Sequence, residues 1–180
     1  EAEARQKAKY TQALYARAKD INSKNVAHHY LNQERGINCD LSADIKTTSI
    51  YDKNADKSFP ALVAFARDKD GNITGGQRLV LDAKTKNKAN VDLPKKSFGK
   101  VAGSFVTISQ VNKPEVTIIA EGLETGLSVK QGLSERNQSH RQMKTQIICS
   151  LGISNIKNYQ PSKGEKLIIA ADNDGTNSIT

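Results

Sequence analysis

Residues 166–175 read KLIIAADNDG. Leu167, Ile168, Ile169 and Ala170 form an unbroken apolar run, and Ala171 leads from it into two aspartates separated by one asparagine. A short apolar run bounded by turn residues predicts a buried strand. That strand aims at Asp172 and Asp174, and Gly175 lets the chain turn at once. Carboxylates two residues apart share a face of extended backbone, and their like charges repel unless a cation or solvent offsets them. The stretch is read as the rim of a binding site. The competing reading is a plain strand-ending turn, for which Asp, Asn and Gly are equally suited.

A second stretch repeats this grammar. Val116–Ala120 is apolar except for Thr117, Glu121 follows at its exit, Gly122 turns the chain, and a helical pattern runs through Leu127 and Val129. After the polar run SERNQSHRQMK, which contains His140, a further strand TQIICSL and a short connection through Pro161 return to the opening stretch. Apolar strands separated by helical connections predict a parallel sheet covered on both faces. In such sheets ligands bind at the carboxyl ends of the strands. Glu121, Asp172 and Asp174 would meet there if the two strands are neighbours, and three carboxylates suit a hard divalent cation such as Mg²⁺.

Upstream the texture differs. Residues 1–19 are strong helix formers with Tyr10, Ala13, Leu14 and Ala18 at helical spacing, which predicts an amphipathic helix. A second helix is expected with Ser23 as cap, Val26, Ala27, Tyr30 and Leu31 on its inner face, and Gly36 at its end. His28 and His29 are adjacent, so on a helix they diverge and read as surface histidines. Strand-like runs at 61–67 and 75–81 flank Asp70-Gly71, a hairpin signature. A lysine-rich loop, KTKNKANVDLPKKSFGK at 84–100, and a strand at 104–109 complete what reads as a small antiparallel sheet.

The chain of 180 residues carries a formal charge of +8, which favours acidic partners such as nucleic acid or nucleotides. Arg78, Lys95, Lys96 and Lys100 are the candidate phosphate contacts, with Lys84, Lys86 and Lys88 in the same loop; a merely solvated lysine loop is the alternative. Phe98 is read as packed beneath that loop, with base stacking as the alternative, and Ser97 has no positioned histidine that would activate it. Cys39 and Cys149 form no CxxC pair, which excludes a zinc ribbon within the chain and argues against a disulfide framework. No apolar run approaches the ~20 residues of a membrane span. The N-terminus lacks the apolar core of a signal peptide; a cytoplasmic segment of a longer protein is expected.

Glu121-Gly122 after one apolar strand and Asp172-x-Asp174-Gly175 after another resemble the Toprim domain shared by primases, topoisomerases and some nucleases. The strings YLNQERGI, PALVAFARDKDGNITGGQRLVLD, KKSFGKVAG and AEGLETGLS follow the order seen in Toprim primases of phages, plasmids and conjugation systems, so the resemblance runs from about Ala13 to the end. It implies that Glu121 serves metal binding or general acid–base work and that Asp172 and Asp174 hold Mg²⁺ or Mn²⁺. Glu124, which matches an EGxET form, is a possible additional acid, or a first-turn acid favoured by the helix dipole. The upstream zinc ribbon common in primases is absent, and the remaining Toprim strands would lie past Thr180.

The expected fold class is α/β with an α+β N-terminal part: N-terminal helices (1–58), a small antiparallel β subdomain with the basic loop (59–112), and an incomplete Rossmann-like Toprim domain (113–180). The expected activity is that of a DNA primase core acting on single-stranded DNA and nucleoside triphosphates, with helicase or relaxase modules fused or associated. A Toprim nuclease and a non-catalytic nucleic-acid-binding module of a conjugative relaxase are the alternatives. A topoisomerase is disfavoured because it needs an active tyrosine in a large separate domain.

Overall fold

The computed structural model describes residues 2–136 and 143–172. Asp174 and His140 lie outside the described residues. The architecture is mixed α/β, as expected from the sequence: an N-terminal helix and an antiparallel sheet, then a mostly parallel sheet with a helix.

Helix α1 (Ala2–Arg17) buries Leu14 and Thr11. After the two-residue strand β1 (Lys19–Asp20), helix α2 (Val26–His29) continues into a π-helical turn at Tyr30–Glu34. Its cap is Asn25, whose side chain accepts from the His28 N–H, rather than the expected Ser23. Gly36, with φ of 65°, ends the segment as anticipated.

The first sheet is antiparallel throughout, in the order β1–β2–β3–β4–β5, with β2 at Ile45–Asp52, β3 at Lys57–Arg67, β4 at Ile73–Val80 and β5 at Lys95–Gly99. Residues 57–67 and 73–80 realise the expected hairpin. Strand β2 has no counterpart in the sequence reading, because it carries threonines and serine and keeps Ser49 and Tyr51 exposed. Lys95 and Lys96 belong to strand β5, whereas the sequence reads as a loop there. Strand β3 is apolar on both faces because both are covered. Val63 and Phe65 pack with Leu14 of α1, while Leu62, Ala64 and Ala66 enter the second core.

Gly76 of β4 is required by close packing. A Cβ there would lie 2.2 Å from the Ala64 carbonyl oxygen and 2.8 Å from the Phe98 ring. Phe98 meets Tyr10 and Phe65 edge-on, with centroids 6.0 and 5.8 Å apart. It packs between α1 and β3, rather than beneath the lysine loop as expected.

The second sheet has the order β6–β8–β7–β9, comprising β6 (Val106–Ser109), β7 (Val116–Ala120), β8 (Thr145–Cys149) and β9 (Lys166–Ala170). Strand β6, expected in the antiparallel sheet, pairs antiparallel with β8 instead. Strands β8 and β9 flank β7, both parallel to it. Helix α3 (Leu123–Arg136) links β7 to β8, and the single-turn α4 (Ile153–Ile156) follows β8. Leu123 and Leu127 of α3 pack with Ile118, Ile147 and Cys149 beneath Leu62 and Ala64, so one apolar cluster spans both sheets.

Strand β7 is wholly buried, but Leu167, Ile168 and Ile169 of β9 are 42%, 51% and 56% exposed. The expected cover on both faces is therefore absent from β9 among the described residues. Both cysteines are free thiols, and no helix among the described residues is long and apolar enough to cross a membrane.

Candidate functional site

Parallel pairing of β7 with β9 brings the acidic strand exits together. Ala120 stands opposite Ala170, and the Glu121 N–H donates to the Ala170 carbonyl at 3.0 Å. One residue further on, the Asp172 carboxylate lies against the Gly122 turn, where a Cβ would be 3.5 Å from Oδ2. The Thr125 hydroxyl donates to Asp172 Oδ1. Thr125 lies in the first turn of α3, whose unpaired N–H groups and positive dipole end stabilise nearby carboxylates. Glu121 is half-buried and Asp172 exposed. Two of the three predicted acids are thus placed side by side at the carboxyl ends of adjacent parallel strands.

Glu124 is held from the other side. The buried Tyr30 hydroxyl donates to Glu124 Oε1 at 3.0 Å and accepts from Arg35 Nε at 2.9 Å. The Arg35 guanidinium lies 5.1 Å from the Tyr30 ring centroid. Burial pushes the Tyr30 pKa up to about 12; the Arg35 hydrogen bond opposes this, and Glu124 adds to it. Tyr30 therefore remains a neutral donor at physiological pH and ties the α2 segment to the first turn of α3. This link is missed in the sequence, where Tyr30 reads only as an inner-face residue. Its signal is a contact across 94 residues. Tyr30→Phe is expected to lower the unfolding free energy by about 1–2 kcal/mol, the scale for losing a buried donor, with urea unfolding as the measurement.

Strand β5 divides the candidate cations. Leu79 stands opposite Lys95, and Arg78 opposite Lys96. Successive residues of a strand alternate faces, so Lys95 shares the Leu79 face, toward α3, while Lys96 and Arg78 share the opposite one. Lys95 lines a small crevice with Arg78, Leu79, Leu123 and Glu124. The buried Cys149 thiol lies at the end of β8. Its pKa is pushed up to about 12 by burial, with the Leu151 N–H and then Lys95 opposing and Glu124 and Asp172 adding. Lys95 and Glu124 share the crevice, and Asp172 is tied to Thr125 in the same first turn of α3. Lys100 lies at the far end of β5, where its backbone pairs with Thr74.

A further residue missed in the sequence is Asn155 of α4, 6% exposed. Its Nδ2 donates to the carbonyls of Val101 (3.2 Å), Ser104 (2.8 Å) and Ser150 (3.0 Å), and its Oδ1 accepts from the Gly103 N–H at 2.8 Å. The loop after Lys100 is thereby clamped to the connection leaving β8, and the Gly152 N–H in that connection donates to the Glu121 carbonyl. An asparagine in a polar loop carries no sequence signal of this kind.

As a donor set, carboxylates at adjacent strand exits fit a hard cation of the Mg²⁺ type, which takes oxygen ligands and retains waters. Among the described residues no three metal-ligating side chains converge. The third predicted ligand, Asp174, lies outside them.

With this geometry, residues 116–178 match the family described as Toprim domain, the domain of primases, topoisomerases and nucleases, whose members generally bind Mg²⁺ through acidic residues. Toprim domains are typically found in nucleic-acid enzymes. Residues 5–108, more than half of the chain, match the family described as Domain of unknown function (DUF7146), and the chain belongs to that family. No curated protein and no solved structure matches the chain.

Proposed function

We propose that this chain is the core of a Toprim-type DNA primase, which joins nucleoside triphosphates into primers on a single-stranded DNA template. The observation that carries the reading is the parallel β7–β9 pairing, which sets Glu121 and Asp172 at neighbouring exits with Lys95 on the facing sheet. In this reading Glu121, Asp172 and Asp174 hold Mg²⁺ or Mn²⁺, which when bound neutralises charge on the triphosphate oxygens. Thr125 keeps the Asp172 carboxylate turned to the rim, and the N-terminus of α3 offsets the repulsion between the acids. Lys95 acts as a point charge for the phosphates. Glu124, fixed by Tyr30, is an additional acid that lines the same crevice as Lys95. The reaction itself is attack of a 3′-hydroxyl on the α-phosphorus with release of pyrophosphate, and the protein contributes mainly positioning and charge stabilisation.

The same reading takes residues 1–58 as an N-terminal segment whose helices are joined by β1 and β2 of the first sheet, 59–112 as a basic β subdomain that includes Lys100 and ends in β6 of the second sheet, and 113–180 as the Toprim part. It places the protein in the cytoplasm beside helicase or relaxase modules of a replicating or conjugating element. The test is oligonucleotide synthesis by the full-length protein on a single-stranded template with labelled nucleoside triphosphates and Mg²⁺ or Mn²⁺. Primer-length products that require both template and metal are expected. DNA nicking without triphosphates would make the protein a Toprim nuclease. Template binding that no acid substitution alters, without turnover, would make it a non-catalytic module.

A further inference from the structure

Arg78 of β4 is half-buried. Its Nη1 is buried without a hydrogen-bond partner. Among the described residues none of Lys53, Arg78 and Lys96 forms an ion pair. A guanidinium partly removed from water with its donors unused is costly, which is the situation an incoming anion relieves.

The surroundings favour such an anion. Arg78 and Lys96 are cross-strand partners and, with Lys53, line a cavity of about 370 Å³ beside the β2–β3 turn. Two carboxylates, Asp52 and Asp92, also line it. Asp52 Oδ1 is engaged by the N–H groups of Asn54 and Ala55, both at 3.0 Å, and Asp92 Oδ2 by the Asn54 amide at 3.0 Å. Both acids also serve the turn, and the three cations outnumber the two carboxylates. Exposed Leu93 at the cavity edge, with 60% of its surface in solvent, offers apolar area to a base or sugar.

We infer that Arg78, Lys96 and Lys53 form a second anion subsite, which holds the phosphodiester backbone of single-stranded nucleic acid on the face of the first sheet opposite the acids. This rests on the nucleic-acid reading above but not on catalysis. Strand alternation turns Lys96 away from Lys95, and Arg78 borders both places: a strand held here lies at the Arg78–Lys96 end of that face, beside the β2–β3 turn, because α1 covers the Phe98 end. The basic segment thereby serves two places, and the adjacent lysines 95 and 96 contact different parts of the nucleic acid.

The experiment measures binding of a fluorescent oligo-dT to the full-length protein by anisotropy, across a range of salt concentrations. Arg78→Gln and Lys96→Gln are each expected to weaken binding several-fold and to reduce the slope of log K against log salt by about 0.7, the contribution of one neutralised phosphate on a single strand. Lys163→Gln, which removes the same charge from the exposed loop before β9, is the control and is expected to leave the affinity unchanged. Lys96 is exposed, so its variant keeps the test valid if Arg78→Gln fails to fold. Unchanged affinity and slope in Lys96→Gln, or an equal loss in Lys163→Gln, overturns the proposal. Displacement by stoichiometric ATP also overturns it, since that assigns the pocket to a free nucleotide. Asp172→Ala is expected to bind oligo-dT normally, so loss of synthesis and loss of this subsite are read separately.

Discussion

Asp172→Ala is expected to reduce metal-dependent primer synthesis by at least about 10²-fold, the scale on which one preorganised electrostatic contact acts in a catalytic site. Asp172 stands at the exit of β9 with Oδ1 held by Thr125 and Oδ2 over the Gly122 turn. The substitution removes a charge and both acceptor oxygens while leaving an exposed position that alanine fills without strain. Circular dichroism and thermal melting should therefore match the wild type, which separates a catalytic loss from a folding defect. Thr125→Val is the graded companion: it keeps the carboxylate but frees it to rotate, so a smaller loss is expected. A fully active Asp172→Ala variant would remove the acidic rim from any account of turnover.

Asp44→Ala is expected to be the most destabilising substitution outside the site. Asp44 is 5% exposed, and Arg67 grips it through Nε at 2.8 and 3.0 Å and through Nη2 at 2.7 Å. The Asp44 hydrogen bonds are the first cause that raises the Arg67 pKa, which keeps the guanidinium charged. Breaking a buried pair by removing one partner costs about 3–5 kcal/mol. The lower end is expected here, because the Arg67 side chain is 32% exposed and regains some water. For a chain of this size that is a fall in Tm on the order of 10 °C. The backbone of Arg67 also exchanges hydrogen bonds with Phe105, both 2.9 Å, just before the second sheet begins. The loss should therefore appear as well in the protection of Phe105 from hydrogen exchange. Asp44→Asn retains an acceptor and should lose about half as much.

Several features of the protein were legible in the residues. VTIIA and KLIIA are short and apolar with an acid at or just past each exit, and both became strands of the parallel sheet. The Asp70-Gly71 turn between apolar runs became the β3–β4 hairpin. Gly36 ended the α2 segment because only a residue tolerant of positive φ suits that position. Strands β2 and β5 were hidden for a shared reason. IKTTSIYD and KKSFG are half-exposed, so they lack the apolar content by which strands are recognised, and their pairing with β3 and β4 supplies what their composition does not.

What the sequence by itself determined is local: where apolar runs stop, which acids follow them, and which residues permit a turn. Burial and backbone preference act over a few neighbours, so the order of residues is enough to read them. Only the tertiary structure decided that β9 lies beside β7, that Lys95 and Lys96 serve opposite faces, and that Tyr30 reaches Glu124. Strand order and face assignment depend on which surfaces of distant segments exclude water together, and spacing along the chain carries no record of that choice.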